Sequence, residues 1–279
     1  MTSGSPGRLI ILFAIPLMLG NICQQLYTMV DTMVVGQIAG VEALAALGAV
    51  DFLLWVVTGI STGLTQGFSI QLAQYYGAKD FENLRKSLAH SYRLTAFIAV
   101  GVFILSQSFA ALVLTGLHTP SNIIGMSLLY LRIIFCGIPA TAAYNMFAAA
   151  LRAMGNSKTP LTAMIIASVL NISLDILFVA GFGWGVAGAA IATVIAQSFS
   201  AVYCFLILRR IDIVHLSRAD FMTATGMNAR LMKLGIPVVF QNIIIGVTPG
   251  HFKDMKQLGR MENVCSRQRG NGISFAICT

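Results

Sequence analysis

Two acids, Asp31 and Asp175, stand in stretches that are otherwise almost free of charge. Around the first, polar side chains recur as Asn21, Gln24, Thr28 and Asp31, spacings of three, four and three that place them on one stripe of a helix. Ser168, Asn171 and Asp175 repeat at three and four, while Thr193 and Gln197, and likewise Thr141 and Asn145, are four apart. Polar stripes on four helices could therefore converge on one wet cavity. Uncharged groups of this kind commonly hydrogen-bond one helix to another. A carboxylate is different: in the middle of an apolar span it costs about 2.5 to 3.5 kcal/mol on insertion scales, and it is relieved by a proton or a cation. Hard oxygen donors suit a proton or a small alkali cation, and a site that changes charge on loading can bias a conformational equilibrium. That chemistry is ion-coupled transport.

The elements that must position these groups follow from composition. The chain has 279 residues, 57% hydrophobic and 10% charged, with a mean hydropathy of +0.80. A soluble domain carries about a quarter charged residues, so lipid is the implied solvent. A spanning helix needs roughly 20 apolar residues. Six stretches meet that length: Leu9 to Val35, Leu44 to Leu72, Leu94 to Leu117, Ile123 to Leu151, Leu161 to Gly181 and Val186 to Leu208. A seventh begins near Leu231 and loses its apolar character after Val247. Continuous apolar runs select helices over barrel strands, which alternate over about ten residues. The opening run, after Arg8, outlasts the apolar core of a signal peptide and lacks an A-x-A site, which predicts a retained first helix.

Charge placement orients the spans. The formal charge is +8. The segments after the first, third and fifth stretches contain no Lys or Arg, whereas those after the second, fourth and sixth hold Lys79, Arg85, Lys86 and Arg93, then Arg152 and Lys158, then Arg209, Arg210, Arg218 and Arg230. This is the positive-inside pattern, and it predicts a multi-pass protein of the cell (inner) membrane with a cytoplasmic amino terminus. The basic balance reflects topology, and no nucleic-acid partner is expected. Arg132 is a basic residue within a span, either snorkelling to the interface or serving a polar cavity. Asp51, near the outer start of the second stretch, is expected to reach the interface. Gly77 to Arg93 is amphipathic and expected to lie along the inner surface before the third span.

Enzyme signatures are missing. Cys23, Cys136, Cys204, Cys265 and Cys278 have neither CxxC nor paired spacing, and the first three read as small core residues. Gly183, Gly185 and Gly188 spell GxGxxG, but after a membrane span and without a βαβ unit. Gly59, Gly63 and Gly67 form a double GxxxG ridge, a helix-packing device. An intramembrane aspartyl dyad would expect a G-x-G-D context, which NISLD lacks. We therefore expect no enzyme, no catalytic residue and no cofactor.

The first and seventh stretches share a short repeat. IPLMLGNI from Ile15 and IPVVFQNI from Ile236 match at Ile, Pro, Asn and Ile, an offset of 221 residues. Transporters are often built from two related bundles. After Thr248 the text turns polar, with no span-length apolar run, and reads as loop-like and as the mark of a truncated or frame-shifted product. The expected organisation is a six-helix bundle over 1–208, a cytoplasmic inter-lobe loop over 209–230, the start of a seventh helix over 231–247 and an aberrant polar tail over 248–279.

Three segments together resemble the amino-terminal half of the multidrug and toxic compound extrusion (MATE) family: IPLMLGNICQQLYTMVDTMVVGQIAGVEALAALG, AALRAMGNSKTP and NISLDILFVAGFGWGVAGAAIATVIAQ. The resemblance covers about Leu9 to Val247. It implies an all-α membrane protein, one six-helix lobe of a twelve-helix, two-bundle fold that exports cationic or amphipathic compounds in exchange for Na+ or H+. By matching motif, Asp31 corresponds to the family's first-helix acid, with Gln24 before it. Asn171 and Asp175 match the N-x-x-x-D of the fifth helix, Thr193 the sixth-helix hydroxyl, Asn145 the fourth-helix amide and Pro16 a first-helix proline associated with bending. Cation or proton coupling is thereby implied at Asp31, Asp175, Asn171, Thr193, Gln24 and Asn145, with Na+ binding at Asp31, Asp175, Asn171 and Thr193. The implied partners are the lipid bilayer, a small cationic or amphipathic substrate and a second bundle of the same protein. The alternatives are a lipid-linked oligosaccharide flippase and a non-functional fragment.

Overall fold

The structure, a computed structural model, describes residues 6–116, 119–120, 122–214, 216–221 and 226–247. The polar tail from Thr248 therefore lies outside the described residues. The described chain runs through α1 (Pro6–Val34), α2 (Val41–Gly77), α3 (Phe81–Gly116), α4 (Ile124–Cys136), α5 (Ile138–Ala153), α6 (Lys158–Asp175), α7 (Gly185–Arg209) and α8 (Met227–Val247). A π-helical turn over Val35–Ala39 continues α1, and another over Ile176–Gly181 continues α6. Among the described residues, four helices are long and apolar enough to cross a membrane: Glu42–Gly77, Phe81–Gly116, Lys158–Gly181 and Gly185–Arg209. A fifth joins them if α4 and α5 count as one span. The first predicted stretch lies in α1 and the seventh in α8.

The fourth stretch is not straight. It bends by 45° between α4 and α5. Gly137 makes the corner, with its N–H donating to the Ile134 carbonyl at 2.9 Å, and Pro139, lacking an N–H, opens α5. A Cβ at Gly137 would stand 2.7 Å from Cγ2 of Val194, so the glycine lets the corner press against α7. The amphipathic segment from Gly77 to Arg93 also departs from expectation. After the turn at 78–80 it does not form a separate surface helix: from Phe81 it is part of α3, and Leu84 and Leu88 pack into the core with Phe68, Leu72 and Leu151.

In lipid, apolar burial offers no solvent-driven gain between helices, so close packing of small residues must hold them. α7 is built that way: Gly188, Ala189, Ala190, Ala192, Ala196, Ser200, Ala201 and Cys204 are buried, and it packs against α4, α5 and α6. α2 is central to the other side, touching α3, α4, α5 and α8. Its glycine ridge meets α8. A Cβ on Gly63 would lie 2.7 Å from Cα of Val239, and one on Gly67 would collide with the backbone at Gly235. Large apolar side chains such as Phe97, Leu112, Val169 and Val202 face outward, as a lipid-facing surface requires. Cys204 is buried, Cys23 half-buried and Cys136 exposed, so Cys136 is not the core residue its apolar run suggested.

Candidate functional site

The site is assembled by α1, α6 and α7. α1 and α7 both pack against α6; of the α1 stripe, Asn21, Gln24 and Thr28 are exposed and Asp31 is the buried member. Asp31 is 7% exposed, Asn171 1% and Asp175 0%. From α7, Thr193 accepts a hydrogen bond from the Asn171 amide at 3.4 Å. Asp31 and Asp175 lie within electrostatic reach of one another.

Their hydrogen bonding is incomplete. Oδ1 of Asp31, Oδ1 of Asn171, both carboxyl oxygens of Asp175 and Oε1 of Gln197 are buried and find no hydrogen-bond partner among the described residues. Buried polar atoms are nearly always satisfied, and a buried charge must be paired or neutralised. These five unpartnered buried oxygens come from three helices, α1, α6 and α7. Among the described residues, no group of three His, Cys, Asp or Glu side chains is placed to hold a metal ion.

Not every predicted residue joins this group. Gln24 is exposed, and its carbonyl accepts the Thr28 hydroxyl at 2.9 Å. Asn145 is half-buried on α5. Pro16 lies inside α1, where its ring removes one backbone hydrogen bond. The Arg132 and Asp51 side chains are exposed.

Two residues that the polar spacing did not select belong to the cluster. Tyr27 lies beside Gln197 and within electrostatic reach of both acids. Tyr130, from α4, is also within reach of Asp31 and Asp175. A phenol reads as an apolar ring in a hydrophobic run, so only its position four residues before Asp31 could have flagged Tyr27. The π-helical turns add a further feature: one begins four residues after Asp31 and the other directly after Asp175, and the two turns pack against each other and against α7. Single π turns are rare and recur at functional sites.

Comparison with known proteins agrees with this architecture. The model of the MatE family matches residues 16–177. YpnP and YoeA of Bacillus subtilis, each described as a probable multidrug resistance protein, are 31% and 30% identical over 244 and 245 residues. Those alignments cover 88% and 85% of this chain but 55% and 53% of the relatives. The structure of an outward-facing multidrug resistance MATE family transporter of the MOP superfamily superposes with a TM-score of 0.81 at 26% identity, covering 86% of this chain and 53% of the other. The chain thus spans about half the length of the relatives it matches. The chain belongs to the MatE family and is a multi-pass membrane protein carrying the amino-terminal half of its fold.

Proposed function

We propose that this chain is the cation-coupling bundle of a multidrug efflux antiporter, exporting organic cations or amphipathic compounds in exchange for Na+ or H+. The observation that carries the reading is the buried pair Asp31 and Asp175, within electrostatic reach of each other and with unpartnered oxygens, while Asn171, four residues before Asp175, is hydrogen-bonded to Thr193. Two carboxylates in one water-poor site repel each other, and a cation or proton taken up there removes the repulsion. Loading therefore changes the relative energy of conformations that hold the acids close and those that hold them apart, which is the coupling an antiporter needs.

In this reading Asn171 and Thr193 supply neutral oxygens to the ion, and Asn145 and Gln24 serve the same cavity in another conformation. Pro16 marks where α1 bends. The amino terminus is cytoplasmic, residues 1–208 form the bundle, 209–230 the inter-lobe loop and 231–247 the start of a second bundle. Support for the efflux assignment comes from relatives described as multidrug resistance proteins.

The test is ethidium efflux from cells that express the chain, energised by Na+ or by acid outside. Export that falls to background in Asp31→Asn and Asp175→Asn is the expected result. Export that both substitutions leave intact would remove the acids from the mechanism, and no export by the parent chain would overturn its activity on its own.

A further inference from the structure

The GxGxxG of Gly183, Gly185 and Gly188 finds its use in the corner between α6 and α7. Gly183 (φ +69°) and Gly185 (φ +52°) take the left-handed backbone that a side chain resists, and so turn the chain within a few residues. At Gly188 a Cβ would stand 3.0 Å from Cβ of Phe178, so the third glycine lets α7 press on the π turn that follows Asp175. Two backbone bonds close the corner. The Phe182 N–H donates to the Leu177 carbonyl at 3.0 Å, and the Trp184 N–H donates to the Phe178 carbonyl at 2.9 Å.

The closed corner carries three rings in mutual contact. Phe178 stacks on Phe182 and on Trp184, with centroids 6.0 and 5.2 Å apart, and Phe182 lies 5.4 Å from Trp184 in a tilted pair. This cluster is not core: Phe182 is 56% exposed and Trp184 50%. Its depth follows from the two spans that it joins. Lys158–Gly181 has 24 residues and Gly185–Arg209 has 25. At about 1.5 Å per residue each is roughly 36 Å long, against a hydrocarbon layer of about 30 Å. Both spans carry a base at the end away from the corner, Lys158 and Arg209, whereas residues 182–185 contain none. The rings therefore stand at one boundary of the apolar layer and the bases at the other. Val169 and Ile176, exposed on the same span, continue the lipid-facing surface up to the rings. An indole has an apolar body and one N–H, which suits the level where acyl chains meet headgroups.

We infer that Phe178, Phe182 and Trp184 form a lipid-interface anchor, its partner the headgroup boundary of the bilayer, that fixes the depth at which α6 ends and α7 begins. The rings lie among the upper acyl chains, and the Trp184 N–H donates to lipid oxygens. Because that layer is hydrated, the corner stays within reach of water-borne reagents. Phe178 belongs to the π turn directly after Asp175, so the anchor holds that turn at a constant depth as well. It acts whether or not an ion sits at Asp31 and Asp175.

Trp184 is one of two tryptophans, so Trp55→Phe makes it the sole indole emitter. In phosphatidylcholine vesicles carrying the chain, lipids brominated near the glycerol end of the acyl chain should quench its emission more than lipids brominated near the methyl end, and more than aqueous iodide. Strongest quenching by iodide would put the corner in water, strongest quenching by the deep bromines would put it in the chain interior, and quenching by none of them would mean that protein covers it; each result overturns the anchor. Should Trp55→Phe not fold, the emission lost between the parent and Trp184→Phe under the same quenchers reads the same ring. Anchoring is read separately from a nitroxide on Ala180→Cys, an exposed position of the π turn, with the native cysteines replaced by serine. Its collisions with oxygen and with a water-soluble nickel complex give its depth. One depth is expected with the rings present, and a shifted or broadened one in the Phe182→Ala, Trp184→Ala double variant. An unchanged depth in that variant would mean that the rings sit at the interface without holding the corner there, and would overturn the inference.

Discussion

At the residue scale, the account rests on oxygens that are buried without partners. Asp175 is fully enclosed, and neither carboxyl oxygen has a hydrogen bond among the described residues. If that enclosure exists to be neutralised by the transported ion, an isosteric amide mimics the loaded state. Asp175→Asn should then raise the thermal midpoint of the purified chain in ion-free buffer and abolish its response to added Na+ or acid, as scanning fluorimetry would record. A midpoint that still rises on ion addition would place ion binding elsewhere. The acids, Asn171 and Thr193 were readable from three- and four-residue spacing, because a charge in an apolar run has few structural excuses. Tyr27 and Tyr130 were not. A tyrosine satisfies the same hydrophobic pattern as a phenylalanine, and only its neighbours in space reveal what the hydroxyl faces.

At the scale of elements, glycine positions divide into those that packing requires and those it does not. A Cβ at Gly63 would meet backbone of α8, whereas one at Gly101 meets nothing within 4 Å. Gly63→Ala is expected to cost about 1 to 3 kcal/mol through overpacking and to lower the thermal midpoint by several degrees. Gly101→Ala, in the middle of α3, should be neutral or gain up to about 1 kcal/mol from helix propensity. Equal midpoints for the two variants would contradict the close α2–α8 crossing. The start of α3 carries its own test. The side-chain amide and backbone N–H of Asn83 both donate to Asp80, at 2.7 and 3.1 Å, and hold its carboxyl below the usual carboxylate range. A depressed acid stabilises the folded state above its unfolded pKa and loses that effect as pH falls through its folded value. Hydrogen exchange at the first turn of α3, corrected for intrinsic rate, should therefore accelerate in strong acid and be fast at all pH in Asp80→Ala. The glycine ridge could be read from sequence as a packing motif, but its partner could not, since GxxxG names one face of a contact only. The corner at Gly137 and the π turns after each acid were equally hidden: the apolar run crosses them without change, and what accompanies them, the close approach to Val194 and the contact between the two turns, is visible only in three dimensions.

At the scale of the molecule, the alternation of basic and neutral connections gives a topology that labelling can check. A membrane-impermeant maleimide added to intact cells should react with Phe182→Cys, exposed between α6 and α7, and reach Ala78→Cys, exposed between α2 and α3, only after permeabilisation. The reverse pattern would invert the bundle. The order of the helices was largely legible, whereas six spans were predicted and four described helices, or five with the bent α4–α5 pair, are long and apolar enough to cross a membrane. How α8 sits was not legible: its short IP-x4-NI likeness to α1 suggested the opening of a second bundle, yet its described contacts run along α2 and to α3. The most direct measurement of the central claim is infrared difference spectroscopy of the chain in nanodiscs, comparing ion-free, acidified and Na+-loaded samples. A protonated-carboxyl band that acid strengthens or Na+ removes, and that disappears in the Asp31→Asn, Asp175→Asn double variant, is the predicted result. A carboxyl response that survives in the double variant, or none in the parent, would contradict the assignment of the coupling site to Asp31 and Asp175.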